Sequence, residues 1–275
     1  MSLRRSIVSL SVALVLLWAG HVPVQAADTA AVAKELVKKY ADSVVSVTGT
    51  MKMTMSMQGL NMPARETKFE TTGVIIDPSG LTVLANSSID SDDILNSITQ
   101  GIPGGDGDAA KMKIKTEFSA LKLRLSDGTE TPVKIVLTDK DLDLAFVMPD
   151  SGSAGSKTTA AKYPALKFDS GATADLLDEV IFMDRLPKNL GRQPSVQLGR
   201  ISAVVSKPRT FYTVADTAGM GTPVFTADGR VLGIQVIRKD PAGSNANAEP
   251  SMQPVIVPAG DVAEIAKQAL TKAGK

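Results

Sequence analysis

Two periodicities divide the chain. Over residues 28–41 the apolar positions Val32, Leu36, Val37 and Tyr40 recur near helical spacing, with Asp28 or Thr29 available as a cap, which predicts a short amphipathic helix. From Val44 the period falls to two and β-branched residues dominate, as in Val44-Val45-Ser46-Val47-Thr48. Short strand-like runs then follow one another as far as Val255-Ile256-Val257. Three turn signals punctuate them: Asp77-Pro78-Ser79-Gly80, Ser126-Asp127-Gly128-Thr129 and Ala227-Asp228-Gly229-Arg230. In each, glycine supplies the positive φ that a tight hairpin requires. Strands without long intervening helices imply antiparallel sheets, arranged as a sandwich or as barrels.

Polar, glycine-containing stretches interrupt the pattern. Residues 101–110 and 240–250 read as loops, and residues 151–162 as a linker between two strand-rich halves. A closing helix is expected over residues 261–272, capped by Asp261 and apolar at Val262, Ile265, Ala266 and Leu270. At the other end, Arg4 and Arg5 precede an apolar run over residues 7–18 and then Val24-Gln25-Ala26, which reads as a secretory signal peptide cleaved after Ala26. That run is shorter than the roughly 20 apolar residues a membrane-spanning helix needs. The expected location is therefore periplasmic or secreted, with no membrane span once the signal is removed.

Cleavage changes the composition in one decisive way. The single histidine, His21, and the single tryptophan, Trp18, both lie in the signal, so a processed chain has neither. Losing Arg4 and Arg5 leaves 28 of the 30 basic residues against 29 acidic ones, a net charge of −1. Such balance argues against a nucleic-acid partner, which favours a clustered basic face. The absence of cysteine excludes disulfides, thiolate metal sites and a thiol nucleophile.

Several segments, in order, resemble the HtrA/Deg group of trypsin-like serine proteases. Thr72-Gly73-Val74-Ile75-Ile76-Asp77-Pro78-Ser79-Gly80 is similar to that group's G-x-G-F-x-I-x-x-x-G, and Val83-Leu84-Ala85-Asn86-Ser87-Ser88-Ile89 to its V-L-T-N-x-H-V. Leu125-Ser126-Asp127-Gly128 matches L-x-D-G, and residues 139–145 match D-x-x-x-D-L-A. Residues 199–205 follow, and Ala218-Gly219-Met220-Gly221-Thr222-Pro223 stands where the group has G-N-S-G-G-P. The resemblance implies an all-β, trypsin-like double six-stranded antiparallel β-barrel with flanking N- and C-terminal helices. The expected organisation is signal peptide 1–26, helix 27–42, first barrel 43–150, linker 151–162, second barrel 163–258 and helix 259–275. The group's carboxy-terminal PDZ module is not expected here.

Carried over residue by residue, the resemblance makes Asp143 the orienting carboxylate, Ser88 the histidine position and Met220 the nucleophile position. The group's oxyanion loop corresponds to Ala218, Gly219 and Met220. Acyl transfer requires a hydroxyl, an imidazole to carry its proton and a carboxylate to orient that imidazole. A thioether supplies neither nucleophile nor proton, and no histidine remains whatever the alignment. Side chains at Ala218 and Thr222, where glycine is usual, disfavour a tight oxyanion turn. The expectation is an inactive protease homologue that binds a peptide or protein partner in the envelope or outside the cell, with no cofactor. An active serine endopeptidase using Ser87, Ser88 or Thr222 with a lysine base is the first alternative.

Two further features are singled out. Met51, Met53, Met55 and Met57 alternate along a predicted strand, with Met62 nearby, which places the first four on one sheet face. They suit an adaptable apolar contact face of an envelope scaffold, or less strongly a soft-metal site for Cu(I) or Ag(I). Asp90, Asp92, Asp93, Asp106 and Asp108 lack the ligand order of a calcium loop and read as solvated carboxylates. Lys111, Lys113 and Lys115, alternating with Met112 and Ile114, read as an edge strand.

Overall fold

The computed structural model describes residues 28–57, 60–61, 63–90, 112–150, 162–168, 171–215, 218–239 and 252–274; at positions 55, 57, 60, 61, 112–114 and 116 it describes the backbone alone. Helix α1 (Thr29–Tyr40) begins where the Asp28 carboxylate accepts the backbone N–H groups of Ala30 and Ala31. It buries Ala33 and Leu36, while Lys38 and Lys39 sit favourably at the negative end of its dipole. The first barrel follows, built from β1 (Val44–Met57), β3 (Arg65–Ile75), β4 (Thr82–Ala85), β5 (Met112–Arg124), β6 (Glu130–Asp139) and β7 (Leu144–Pro149). The two-residue strand β2 (Leu60–Asn61) folds back on the tip of β1. The ring runs β1-β3-β4-β7-β6-β5 and closes because β5 pairs again with β1.

The second barrel closes in the order β10-β13-β12-β11-β8-β9. Its strands are β8 (Glu179–Arg185), β9 (Pro194–Val205), β10 (Phe211–Val214), β11 (Pro223–Thr226), β12 (Val231–Lys239) and β13 (Met252–Pro258). All pairings in both barrels are antiparallel. Each of the three predicted turns forms: Gly80, Gly128 and Gly229 have φ of 92°, 85° and 84°. Residues 162–168 are irregular and lie along the first barrel, with Tyr163 N–H donating to Pro78 O and Leu166 N–H to Ile75 O.

Three apolar cores hold these layers. One fills the first barrel around Val47, Ile75, Leu84 and Leu123, and another fills the second around Phe182, Ile201, Leu232 and Ile256. The largest lies between the barrels and joins Phe146, Leu144 and Val83 to Phe225, Ile181 and Ile234. Strands facing both a barrel interior and this junction are buried on both sides. That is why β4, the first four residues of β7 and the start of β12 read as continuous apolar runs instead of alternating ones.

The final helix α2 (Ala259–Ala273) starts at residue 259, without the side-chain cap expected from Asp261. Asp261 lies inside its first turn, where its charge favours the helix dipole. The acidic and basic segments are only partly described. Asp90 is no freely solvated carboxylate: it accepts Asn86 Nδ2 and the Lys140 ammonium, each at 3.0 Å, with a side chain only 10% exposed. Asp92, Asp93, Asp106, Asp108, Lys111 and Met62 lie outside the described residues, as do the predicted signal and the 101–110, 151–161 and 240–250 segments. No helix among the described residues is long and apolar enough to cross a membrane.

Candidate functional site in the groove between the barrels

The site is assembled from three connections that meet at the junction. The β4 strand ends in a 3-10 turn, Asn86–Ser88, directly beside the turn that leads into β7. That second turn is held by Asp139, whose carboxylate accepts Leu142 N–H at 3.0 Å, and it delivers Asp143 in a left-handed conformation, φ 53°. Aspartate tolerates this region better than most residues do. Asp143 O then accepts Asn86 N–H at 2.9 Å, locking the two turns together.

The buried Asp143 carboxylate is well supplied with donors. Its Oδ1 accepts Ser87 N–H at 2.6 Å, and its Oδ2 accepts Ser87 Oγ–H and Ile237 N–H, both at 2.9 Å. It therefore bridges the first barrel to strand β12 of the second. The hydroxyl on Asp143 comes from Ser87, while Ser88 is a half-buried neighbour on the same turn.

The 218–222 connection is fixed from two sides. Gly221 N–H donates to Gln235 O at 2.8 Å, Gln235 N–H to Thr222 O at 2.9 Å, and Gln235 Nε2 to Ala218 O at 2.9 Å. Gly221, at φ 82°, leaves no room for a side chain: a Cβ there would collide with Thr72 O and stand 3.4 Å from Ala85 N. A Cβ at Gly219 would stand 2.5 Å from Asp184 Oδ2, since Asp184 fills that space while accepting Thr72 Oγ1–H at 2.5 Å. Met220 is half-buried and packs against the inter-barrel core. Thr222 is fully buried, and its hydroxyl has no hydrogen-bond partner among the described residues. Steric access thus removes Thr222 as a group that meets a ligand.

A cavity of about 210 Å³ opens beside Asp143, lined by Asn86, Asp90, Lys140, Ile237, Arg238 and Lys239 among others. Sequence spacing gave no reason to place a lysine here, yet the structure brings Lys140 and Lys239 to its wall. Lys140 lies three residues before Asp143 in the same turn, and its ammonium is held by Asp90. Beyond the cavity β12 continues past its pairing with β11 among the described residues, with the Ile237 N–H held by Asp143. Residues 237–239 pair with β13 on one side, whereas β11 pairs with β12 only from Val231 to Ile234.

The methionine run lies apart from this groove. Met51 pairs with Thr67 and Phe118, and Met53 with Arg65 and Thr116, where β1, β3 and β5 extend beyond the barrel as a three-stranded ribbon. Met51 and Met53 are half-buried. The backbone register continues through Met55 opposite Ile114 and Met57 opposite Met112.

Residues 71–234, more than half of the chain, match the family described as Trypsin-like peptidase domain. A search of curated proteins finds no significant match. The match begins within β3 and ends within β12, so it takes in the Asn86–Ser88 turn, Asp143 and the 218–222 connection. With two closed antiparallel barrels meeting at this groove, the chain belongs to the trypsin-like peptidase domain family.

Proposed function

We propose that this protein is an exported, catalytically inactive member of its family that binds an extended peptide or protein segment in the groove between the barrels. One observation carries the reading: the carboxylate that would orient an imidazole receives Ser87 Oγ–H instead, and the sequence holds no histidine after His21. Without a base, a serine hydroxyl stays protonated and unreactive. The thioether of Met220 at the nucleophile position points to the same conclusion. The groove is lined by turns of the first barrel and by β12 of the second, which favours an extended segment held between them, a role that needs no catalytic chemistry.

Two measurements on the purified chain test this. A fluorophosphonate probe reacts only with an activated hydroxyl, so no labelling is expected. Labelling at Ser87 or Ser88, with Lys140 or Lys239 required, would instead establish a serine–lysine hydrolase. Amide exchange recorded with a pool of extended peptides should show slowing in the groove-lining Asn86–Ser88 turn and the 218–222 connection. Unchanged exchange there would contradict groove binding.

A further inference from the structure

We propose that a cationic pocket at one end of this groove receives an acidic side chain of the bound peptide. This deepens the peptide-binding reading and rests on it. The pocket, about 350 Å³, lies where the outer face of β1, β3 and β5 meets the connection between β8 and β9. Lys68, Lys122, Arg124, Lys188 and Arg192 line it against only two carboxylates, Glu70 and Glu130, a net charge of +3.

Both carboxylates are already engaged. Glu70 accepts Arg192 Nε and Nη2 at 2.5 and 2.9 Å, and Glu130 accepts Lys122 Nζ and Arg124 Nη1 at 3.0 and 2.7 Å. Lys68 and Lys188, by contrast, make no ion pair among the described residues, and they come from opposite walls, one on each barrel. The floor between them is irregular. Thr48 pairs with Lys122 and Thr50 with Ser119, so Ala120 is an extra residue opposite Gly49 and interrupts the ladder. Positive charge confined to a concave site attracts anions and repels basic segments.

Position makes a peptide the source of the anion. Thr72 O lies against Gly221, next to Met220, and Glu70 and Lys68 follow on the same face of β3. Four residues of strand span about 13 Å. An extended peptide crossing Met220 therefore reaches Lys68 and Lys188 within about four of its own residues, and an aspartate or glutamate there would meet both ammonium groups.

Affinity selection from a random dodecapeptide phage library on the immobilised full chain, run beside the K68Q/K188Q variant, tests the proposal. Both lysines are exposed, so the variant should fold. Peptides recovered on the wild type are expected to carry Asp or Glu toward one end. A synthetic example should bind the variant roughly three- to tenfold more weakly, as expected for two partly screened charge contacts. Its Asn/Gln analogue should bind both proteins alike. Recovered peptides without acidic bias, or equal affinity for the two proteins, would overturn the acidic pocket and leave groove binding standing. An empty selection would defeat groove binding and this proposal with it. Inorganic phosphate is the remaining arm: if it binds with the same lysine dependence while peptides show none, the pocket is an anion site unrelated to peptides and the proposal fails.

Discussion

Asp143 and Gly221 are the two residues on which the geometry of the groove depends most directly. Replacing Asp143 by alanine strands Ser87 N–H, Ser87 Oγ–H and Ile237 N–H at a buried junction. Unpaired buried donors cost about 1–3 kcal/mol each before relaxation, so D143A should lose roughly 2–4 kcal/mol in urea denaturation. S87A removes one donor and leaves Ile237 N–H in place, and about 1 kcal/mol is expected. At Gly221 a methyl group meets Thr72 O while φ stays positive, so G221A should cost about 2–4 kcal/mol, read as a lowered denaturation midpoint. Motif order singled out Asp143 and the 218–222 loop, which the structure brings to the junction between the barrels. It did not reveal that Ser87 supplies the hydroxyl to Asp143, because neighbouring residues of a 3-10 turn point in different directions. Asp184 was equally hidden: it meets Gly219 only after the chain has closed a barrel.

Each terminal helix works by crossing a boundary. Helix α1 precedes the first barrel in sequence but docks on the second. Its Thr29 Oγ1 donates to Glu179 Oε2 at 2.7 Å, Tyr40 stacks on Phe225 at 6.1 Å, and Leu36 joins the inter-barrel core. L36A should therefore destabilise the whole molecule by about 2–4 kcal/mol in one cooperative transition; an early, separate transition would show the helix to be independent. Helix α2 packs on β12 and β13 of the second barrel and also on β6 and β7 of the first. Periodicity announced both helices, and glycine chemistry announced the three turns, since these depend on local spacing. Helix docking was not legible, because an apolar stripe does not name the surface it will cover. The cap of α2 was misassigned for a related reason: Asp261 suits both a cap and a first turn.

Across the whole molecule, polar contacts join the barrels around the shared core. Arg185 of β8 donates to Val44 O, to Ala41 O at 2.6 Å and to Arg192 O at 3.0 Å, and burial pulls its guanidinium pKa below the ordinary value. Glu70 on β3 and Arg192 after β8 form a bidentate pair with side chains 28% and 18% exposed. Partial burial alone would raise the Glu70 carboxyl; hydrogen bonds from Arg192 and Ser46 and the charges of Arg192 and Arg124 outweigh it and leave the pKa lowered. A carboxylate lowered in the folded state stabilises above its unfolded pKa, about 4.3, and that contribution disappears as pH falls through the folded value. E70Q should thus cost about 0.5–1 kcal/mol at pH 7 and progressively less below pH ~4, in denaturation series run at each pH. The fold class was readable from strand patterning and motif order. The three-core arrangement was not, since it depends on which faces of β4, β7 and β12 end up between the barrels. The claim on which the functional account rests is the absence of peptide-bond chemistry. Its most direct test is mass spectrometry of a diverse peptide mixture incubated with the purified chain lacking residues 1–26, with a D143A preparation made identically to expose contaminating hydrolases. The account predicts identical peptide profiles for the two preparations and for buffer; new termini produced by the wild type and missing with D143A would contradict it.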